Sequence, residues 1–429
     1  MKVTQVGLGK IGLPLAVQFA SRGHDVLGVD LNHATVDRVN EGAEPFPGEA
    51  HLQERLAQVV AQGRLRATTD TRGAVAESEA VVVVVPLVVD GEGAPDFAWM
   101  DAATREIAAG LRPGTLVAYE TTLPVGTTRT RWKPMLEAGS GLLEGHHFHV
   151  VFSPERVLTG RVFADLRTYP KLVGALSEAG AAAARTFYES VLEFDERPDL
   201  PRGNGVWDLG SAEAAELAKL AETTYRDVNI GLANQFGVFA MRAGIDIFQV
   251  IEAANSQPYS HIHRPGIAVG GHCIPVYPRL YLWNDPGATV VRAAREANAG
   301  MPAYTVGIAK GALGDLAGVA VVVLGASYRG GVKETALSGV FPTVEALAAE
   351  GARVTVHDPM FSDDELTALG FAPHRLGTPV DAAILQADHA EYRHLSPDDL
   401  PEAKVIVDGR NVLSADTFPD ATVLTVGKA

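Results

Sequence analysis

The chain opens with KVTQVGLGKIGLPLA, residues 2–16, and this stretch decides the fold class of its first part. A short apolar run, Val3–Gly7, leads into three glycines, Gly7, Gly9 and Gly12, and then into a helical pattern. In such a GxGxxG arrangement the first glycine permits a tight turn, the second lets the backbone approach a pyrophosphate, and the third lets helix and strand pack closely. The sequence therefore predicts a strand–turn–helix unit whose helix N-terminus binds phosphate groups.

The second predicted strand, Asp25–Asp30, ends in an acidic residue. A carboxylate at this place accepts hydrogen bonds from the adenosine ribose hydroxyls and repels a 2′-phosphate, which favours NAD over NADP. The alternative is a glycine-rich turn that binds nothing. We predict NAD as the cofactor, with these cofactor-binding residues: Gly7, Gly9, Ile11, Gly12 and Asp30.

This alternation of short Val-rich runs with helical patterns continues to about residue 200 and returns at about residue 303. Such runs are typical of parallel sheets that are buried on both faces. Between them, Ser211–Ala243 is one long helical pattern without proline. We predict an α/β fold with two Rossmann-like, doubly wound parallel-sheet domains, 1–200 and 303–429, joined by a long central helix within a helical domain, 201–302. The predicted strands are Val3–Gly7, Asp25–Asp30, Ala80–Pro86, Leu116–Thr121, His149–Ser153, Val319–Leu324, Arg353–His357, Ala383–Leu385 and Lys404–Val407.

Composition excludes several classes of protein. The 429 residues include 36 basic and 52 acidic side chains, a net charge of −16, which argues against binding nucleic acid through bulk positive charge. The longest apolar run, Ala80–Val89, is too short to span a membrane and contains Pro86. A strand that begins at Lys2 leaves no room for a signal peptide. We expect a cytoplasmic protein that associates with neither membranes nor nucleic acid.

The chain has one cysteine, Cys273, within GIAVGGHCIPVYP, residues 266–278. A single cysteine excludes an intrachain disulfide and a cysteine-rich metal site, and we predict no bound metal. Glycines and prolines around it indicate a rigid loop of low bulk that a ligand can approach. A thiolate there could attack an aldehyde and form a thioester. The alternative is a cysteine that packs as a small apolar side chain.

Further motifs complete a pattern along the whole chain. They are VGLGKIGLPLA (6–16), VAYETTLPVGTT (117–128), FSPERVLTGR (152–161), AELAKLAETTYRDVNIGLANQFG (215–237), VLGASYRGGVKET (323–335), HDP (357–359) and VDGRNVL (407–413). On these motifs the chain resembles the UDP-glucose/GDP-mannose dehydrogenase family of nucleotide-sugar 6-dehydrogenases. SPERVLTG and ETTYRDVNIGLAN are most similar to the branch that acts on UDP-N-acetylhexosamines.

The resemblance implies an enzyme of polysaccharide or secondary-metabolite biosynthesis that oxidises the C6 alcohol of a UDP-hexose or UDP-N-acetylhexosamine to a carboxylate. Two NAD-dependent steps proceed through an aldehyde and a cysteine thioester. It also implies a homodimer formed by the helical domain and a UDP-sugar-binding C-terminal domain. Carried over by motif, Cys273 is the nucleophile, Lys219 stabilises oxyanions and binds substrate, Glu155 is the acid or base, Thr122 positions a water and contacts the cofactor, and Arg264, Gly270 and Arg410 bind substrate.

Several positions depart from the family pattern. Tyr277 replaces an aspartate, Thr223 an asparagine and Tyr259 an arginine, and Ala336 stands in a run that usually carries charge. Arg264 lies five residues after Tyr259 and could supply the missing arginine. Two alternatives therefore stay open: a family member that stops at the aldehyde or uses an unusual nucleotide substrate, and a non-catalytic nucleotide-binding homologue.

Overall fold

The structure is a computed structural model that describes residues 1–91 and 93–428. The chain divides into two compact units, Met1–Ala221 and Glu222–Ala429. Each unit contains its own sheet, mainly parallel in the first and entirely parallel in the second, and the α/β fold class predicted from the sequence is confirmed. None of the helices in the described part of the chain is long and apolar enough to span a membrane.

The described residues of the first unit form ten strands. They are β1 (Lys2–Val6), β2 (Asp25–Val29), β3 (Leu65–Thr68), β4 (Ala80–Val83), β5 (Val88–Val89), β6 (Pro95–Asp96), β7 (Leu116–Tyr119), β8 (His149–Phe152), β9 (Lys171–Ala175) and β10 (Val206–Asp208). β5 and β6 form a separate two-stranded hairpin, and the other eight make one sheet in the order β10-β9-β8-β7-β4-β1-β2-β3. Six neighbouring strands of this sheet, β8, β7, β4, β1, β2 and β3, are parallel and follow the strand order of dinucleotide-binding folds.

The two strands at the far edge of this sheet were not predicted. β9 runs antiparallel to β8, with Val151 opposite Ala175, and β10 pairs in parallel with β9. The sequence predicts no such strand between about residue 205 and residue 300, and this expectation is wrong, because β10 lies at Val206–Asp208. These three residues form a strand only because β9 offers an edge to pair with, and no local pattern marks them.

Helices cover both faces of this sheet. They are α1 (Gly12–Ser21), α2 (His33–Asn40), α3 (Leu52–Ala61), α4 (Thr71–Ala76), α5 (Ala98–Gly110), α6 (Lys133–Ser140), α7 (Val162–Thr168) and α8 (Glu178–Val191), with a π-helix at Thr128–Trp132. α1 is apolar along most of its length, and every residue from Gly12 to Ala20 is buried. Its core position explains why the helix lacks a polar face.

The long helix α9 spans Ala212–Ala243 and belongs to both units, in agreement with the predicted helix. Gly244, at φ +71°, lies directly after its end, as left-handed glycines commonly do at helix C-termini. Near its start Ala215 is fully buried, and a Cβ on Gly174 of β9 would lie 2.7 Å from the Ala215 Cβ. This small residue therefore packs within its own chain and is not available to contact another subunit.

The second unit contains five strands and five helices after α9. They are α10 (Ile247–Asn255), α11 (Tyr277–Asn284), α12 (Thr289–Leu313), β11 (Ala320–Leu324), α13 (Val340–Ala349), β12 (Arg353–His357), α14 (Asp363–Ala368), β13 (Ala382–Leu385), β14 (Val405–Asp408) and β15 (Thr422–Thr425), with 3₁₀ turns at Ala390–His394, Pro397–Asp399 and Ala415–Thr417.

All five strands of the second sheet are parallel, in the order β12-β11-β13-β14-β15. This is the second common doubly wound order, in which ligands bind outside the carboxyl ends of the strands where the order reverses. The four predicted strands are confirmed within two residues, and β15 is an addition. Val321, Val323 and Ile384 are fully buried among the residues of its core.

Candidate active site

The glycine-rich turn after β1 has the close packing that its glycines allow. Gly7 has φ +89°, and a Cβ on it would lie 2.2 Å from the Val84 carbonyl oxygen, at the end of the neighbouring strand. A Cβ on Gly12 would lie 2.0 Å from the Gly7 carbonyl oxygen. No larger residue fits at either position unless the backbone moves. This crevice between β1 and β4 is where the strand order of the first sheet reverses.

Gly9 differs from its two neighbours, because nothing lies within 4 Å of the Cβ that could be built on it. The loop therefore presents open backbone, which fits a dinucleotide pyrophosphate at the start of α1. Asp30, half-buried after β2, accepts hydrogen bonds from the backbone N–H groups of Leu8 (2.9 Å) and Asn32 (2.9 Å). The carboxylate is thus fixed beside the loop, where the remaining lone pairs of its oxygens can accept ribose hydroxyls.

The carboxyl ends of β7 and β8 carry two acidic residues, Glu120 and Glu155. The Glu155 N–H lies 3.3 Å from the Glu120 carbonyl oxygen, which ties the two strand ends together. Because β9 runs antiparallel, its first residue, Lys171, lies at this same edge. The Lys171 Nζ lies 2.9 Å from both Glu120 Oε2 and Glu155 Oε2. The side chain of Lys171 is only 5 % exposed, so the three charges interact largely out of water.

A tyrosine from α8 completes this group of buried titratable residues, and we call Glu120, Glu155, Lys171 and Tyr188 the Glu155 cluster. The Tyr188 hydroxyl donates to Glu120 Oε1 at 2.6 Å, and the Lys171 ammonium lies 4.9 Å from the centre of the Tyr188 ring. Burial raises the pKa of Glu120 to about 7, even though the positive charge of Lys171 opposes the shift. The cluster therefore contains one carboxyl group that titrates near neutral pH.

Glu155 behaves in the opposite way. Burial acts to raise its pKa, but the charge and hydrogen bond of Lys171 outweigh burial and hold the pKa below its usual value. The positive charge of Lys219 lowers the pKa further. Lys219 itself is 7 % exposed, whereas lysines on helices are mostly solvated. The structure thus brings together two of the predicted catalytic residues and keeps Glu155 ionised.

Sequence reasoning identified Glu155 and Lys219 but missed Glu120, Lys171 and Tyr188. Glu120 precedes the predicted Thr122 by two residues within YETT, and Thr122 is buried after the same strand. The run of five buried residues Lys171–Ala175 carried a signal for a strand, and a lysine at the start of such a run could have been noticed. Its partners could not, because they depend on the direction in which β9 pairs.

In the second unit Cys273 lies on a loop between α10 and α11, and we call residues 264–276 the cysteine loop. Cys273 is exposed, so the interpretation of a packed apolar side chain is wrong. Its carbonyl oxygen accepts hydrogen bonds from the N–H groups of Val276 (3.2 Å) and Tyr277 (2.9 Å). The thiol is thus carried by a turn that leads directly into α11.

The cysteine loop is anchored to the segments that follow β11 and β14. The Gly271 N–H donates to the Ala336 carbonyl oxygen (2.8 Å), and the Ile267 N–H donates to the Gly409 carbonyl oxygen (3.0 Å). A Cβ on Gly270 would lie 2.6 Å from the Tyr328 Cβ. These contacts are made by backbone atoms and by the absence of side chains, and at Ala336 the contact uses the backbone carbonyl and not the side chain.

Arg410 is half-buried after β14, close to the cysteine loop. Its Nε donates to the Gln386 carbonyl oxygen at 2.6 Å, and its backbone N–H donates to Asp408 Oδ1 at 2.9 Å. Burial lowers the pKa of Arg410, against the nearby charges of Asp388 and Asp408. The guanidinium is therefore held in one orientation at the carboxyl edge of the second sheet, beside Gly266.

The remaining residues singled out in the sequence differ in their exposure to solvent. Arg264 is exposed, Gly270 and Ile11 are half-buried, and Tyr259 is 92 % exposed. Thr223 is buried on α9, and Tyr277 is half-buried at the first position of α11. Among the described residues, no group of three or more His, Cys, Asp or Glu side chains could hold a metal ion.

Comparison with known proteins identifies the chain. The NAD-binding, central and UDP-binding domain models of the UDP-glucose/GDP-mannose dehydrogenase family match residues 1–192, 213–299 and 322–415. The chain belongs to this family. It is an NAD-dependent nucleotide-sugar dehydrogenase, and the predicted family, cofactor and reaction class are confirmed.

Two curated relatives illustrate the branch. The chain is 34 % identical to a UDP-N-acetyl-D-mannosamine dehydrogenase of Pyrococcus horikoshii, over 96 % of each chain. It is 32 % identical to an NDP-N-acetyl-D-galactosaminuronic acid dehydrogenase of Ralstonia nicotianae, again over 96 % of each. The solved structure of the UDP-D-ManNAc dehydrogenase from P. horikoshii superposes with a TM-score of 0.88 at 32 % identity, covering 100 % of this chain and 99 % of that one.

Proposed function

We propose that this enzyme oxidises the C6 alcohol of a UDP-N-acetylhexosamine to the uronic acid in two steps, with Cys273 forming a thioester between them. The observation that carries this proposal is the exposed thiol of Cys273 on a loop that backbone contacts hold in place. Names of the relatives support the sugar class, since both act on N-acetylated hexosamine nucleotides. UDP-N-acetyl-D-mannosamine is the first substrate to test.

Each candidate residue has a role that its surroundings support. Glu155 is ionised and serves as the base that takes the proton of the C6 hydroxyl, directly or through a water that Thr122 orients. Lys219 stabilises the oxyanions that develop on the C6 oxygen. Gly7, Gly9, Ile11, Gly12, Asp30 and Thr122 would hold NAD, which would supply the hydride acceptor for each oxidation.

The thiolate of Cys273 adds to the aldehyde carbon, and loss of hydride from the resulting hemithioacetal leaves a thioester. Water then attacks the thioester carbonyl, which releases the carboxylate and regenerates the thiol. Arg410, Gly270 and Arg264 are proposed to bind the substrate. For Arg410 this role is supported by the orientation of its guanidinium, which the hydrogen bond to the Gln386 carbonyl oxygen holds in place.

A homodimer is part of the proposal. Tyr225, Leu232, Phe236 and Phe239 lie on α9 at spacings of seven, four and three residues, which places them along one face. All four are exposed, Phe239 by 59 %. An apolar stripe of this kind on a long helix is typical of an association surface. The predicted three-domain division and a cytoplasmic location also stay predictions.

The test is NAD reduction with a panel of UDP and GDP sugars, with mass analysis of the product and a count of NADH per sugar consumed. Two NADH and a uronic acid from UDP-N-acetyl-D-mannosamine are the expected result. One NADH and an aldehyde would support the alternative, an enzyme that stops after the first step. That alternative rests on Tyr277, a large neutral side chain four residues after Cys273 where the family has an aspartate.

A further inference from the structure

We propose that Lys171 is a positioning residue for the reaction: held between Glu120 and Glu155 at the antiparallel edge of the first sheet, it keeps Glu155 ionised and correctly oriented as the base. This inference rests on the proposed role of Glu155. In this proposal Lys171 does not touch the substrate but acts through Glu155. The antiparallel pairing of β8 with β9 then has a role in the reaction, because it brings Lys171 to Glu155.

The Lys171 ammonium contacts two largely buried carboxylates. Its ammonium lies 2.9 Å from one oxygen of each carboxylate, and both partners are almost inaccessible, Glu120 at 0 % and Glu155 at 11 % exposure of their side chains. The second oxygen of Glu155, Oε1, accepts the N–H of Arg156 at 2.7 Å. A carboxylate with one oxygen on a lysine and the other on the N–H of the next residue has a defined orientation.

Glu120 gives Lys171 a second anchor. Its two oxygens accept from Lys171 and from the Tyr188 hydroxyl, so Glu120 cannot turn away from the lysine without leaving a buried donor without its acceptor. Burial raises the pKa of Glu120 to about 7, and the positive charge of Lys171 opposes this shift. Lys171 therefore interacts with both carboxyl groups, and its contact with Glu155 is the one that bears on the base.

Other titratable groups face Glu155 from the surrounding elements. Lys219 on α9 lowers the pKa of Glu155 in the same direction as Lys171. A cavity of about 10 Å³, close to the volume that one water needs, lies against Glu155. The titratable residues that line it are Glu155, Arg156, Asp165, Tyr169 and Lys171. Lys171 is distinguished by its ammonium, which lies 2.9 Å from an oxygen of each carboxylate.

The experiment is the pH profile of kcat/KM for the intact enzyme with UDP-N-acetyl-D-mannosamine and NAD, together with NAD affinity. Without its counter-ion, a buried Glu155 gains a proton at higher pH. In Lys171→Met the acid limb should therefore move up by roughly one pH unit or more. NAD affinity should stay within about twofold of the wild type, because Lys171 is remote in sequence and contact from the glycine-rich turn.

Three further variants separate positioning from general damage. Lys171→Arg restores a cation that can bridge both carboxylates and should return the limb toward the wild-type position. Glu120→Gln leaves Lys171 in place, and the glutamine amide can still form hydrogen bonds with Lys171 and with Tyr188. Because the variant also removes a negative charge near Glu155, the acid limb of the pH profile should stay in place or move to lower pH. Lys404→Met removes a 70 % exposed lysine 3.1 Å from Asp381 and should leave the profile unchanged.

The outcomes are distinguishable. An acid limb that stays in place in a folded Lys171→Met enzyme would overturn the inference, as would an upward shift in Glu120→Gln. If Lys171→Met does not fold, the inference is tested by the direction in which the acid limb of the pH profile moves in Lys171→Arg and in Glu120→Gln. The proposed function fails separately: Glu155→Gln with wild-type activity, where a loss of roughly 10²-fold is expected, would remove Glu155 as the base.

Discussion

The Glu155 cluster and the cysteine loop hold their reactive groups by opposite means. In the cluster, charged side chains buried away from water fix one another, with Lys171 2.9 Å from two carboxylates. In the loop, backbone hydrogen bonds and missing side chains fix an exposed thiol, as at Gly270 and Gly271. Substitutions in the cluster should therefore change protonation, whereas substitutions in the loop should change position.

The largest effect is expected where the loop has no room. In Gly270→Ala the new Cβ would lie 2.6 Å from the Tyr328 Cβ and 2.9 Å from the Leu337 carbonyl oxygen. The loop must move, and a displacement of about 1 Å in a reacting group can lower the rate by roughly 10²-fold. We expect such a loss in kcat for uronic acid formation, measured by steady-state NADH production.

Gly300→Ala is the matched control for that variant. Gly300 is an exposed glycine in α12 with nothing within 4 Å of the added Cβ. Activity should stay at the wild-type level, and the free energy of unfolding should rise by up to about 1 kcal/mol, because alanine is the better helix former. If both variants lost activity equally, the packing at Gly270 would not be what positions the loop.

The second effect concerns pH and the Glu155 cluster. Glu120 has a pKa near 7 in the folded protein and an ordinary value of 4.5, so the folded state binds its proton more tightly than the unfolded state. That contribution to stability is complete below the ordinary value and is lost as the pH rises through about 7. Between about pH 5 and about pH 8 the wild type should thus lose about 2–3 kcal/mol that Glu120→Gln does not lose.

Chemical denaturation of both proteins at a series of pH values measures this difference directly. Because the glutamine amide can accept from Lys171 and donate to the Tyr188 oxygen, the variant should fold at every pH in that range. A difference in unfolding free energy that is constant with pH would show that Glu120 does not titrate there.

The smallest effect is expected at the open position of the glycine-rich turn. In Gly9→Ala the methyl group meets nothing within 4 Å, so the thermal midpoint should hardly change. The same methyl group lies where the cofactor pyrophosphate approaches, and NAD affinity should fall by roughly tenfold. Isothermal titration calorimetry measures that affinity.

Gly12→Ala tests the neighbouring position. There the Cβ would lie 2.0 Å from the Gly7 carbonyl oxygen, and we expect a lower thermal midpoint as well as weaker NAD binding. An equal loss of stability in both variants would contradict the distinction between the packed and the open glycine.

What could be predicted from sequence follows the same division. The glycine-rich turn, Asp30, Glu155 and Cys273 each stand in a local pattern, and the parallel strands carry their own periodicity. The pair β8–β9 is different, since its antiparallel direction is decided by tertiary pairing. Lys171 reaches Glu155 only through that direction, so no local signal could have placed it at the site.

The burial of Lys219 was also beyond local reasoning. Its neighbours Leu217 and Ala221 on α9 are exposed, whereas Leu220 is buried, so the helical pattern alone does not decide on which face the lysine lies. The family motif suggested a role for Lys219, and in the structure its positive charge lowers the pKa of Glu155.

The central claim, that Cys273 carries the second oxidation, is tested most directly by counting NADH in a single turnover of UDP-N-acetyl-D-mannosamine by the wild type and by Cys273→Ser. The wild type should form two NADH per sugar and a uronic acid. The serine variant should form at most one, with no uronic acid on the same timescale, because an alcohol is a far weaker nucleophile than a thiolate at neutral pH. Two NADH and a uronic acid from Cys273→Ser at the wild-type rate would contradict the thioester and require another route to the carboxylate.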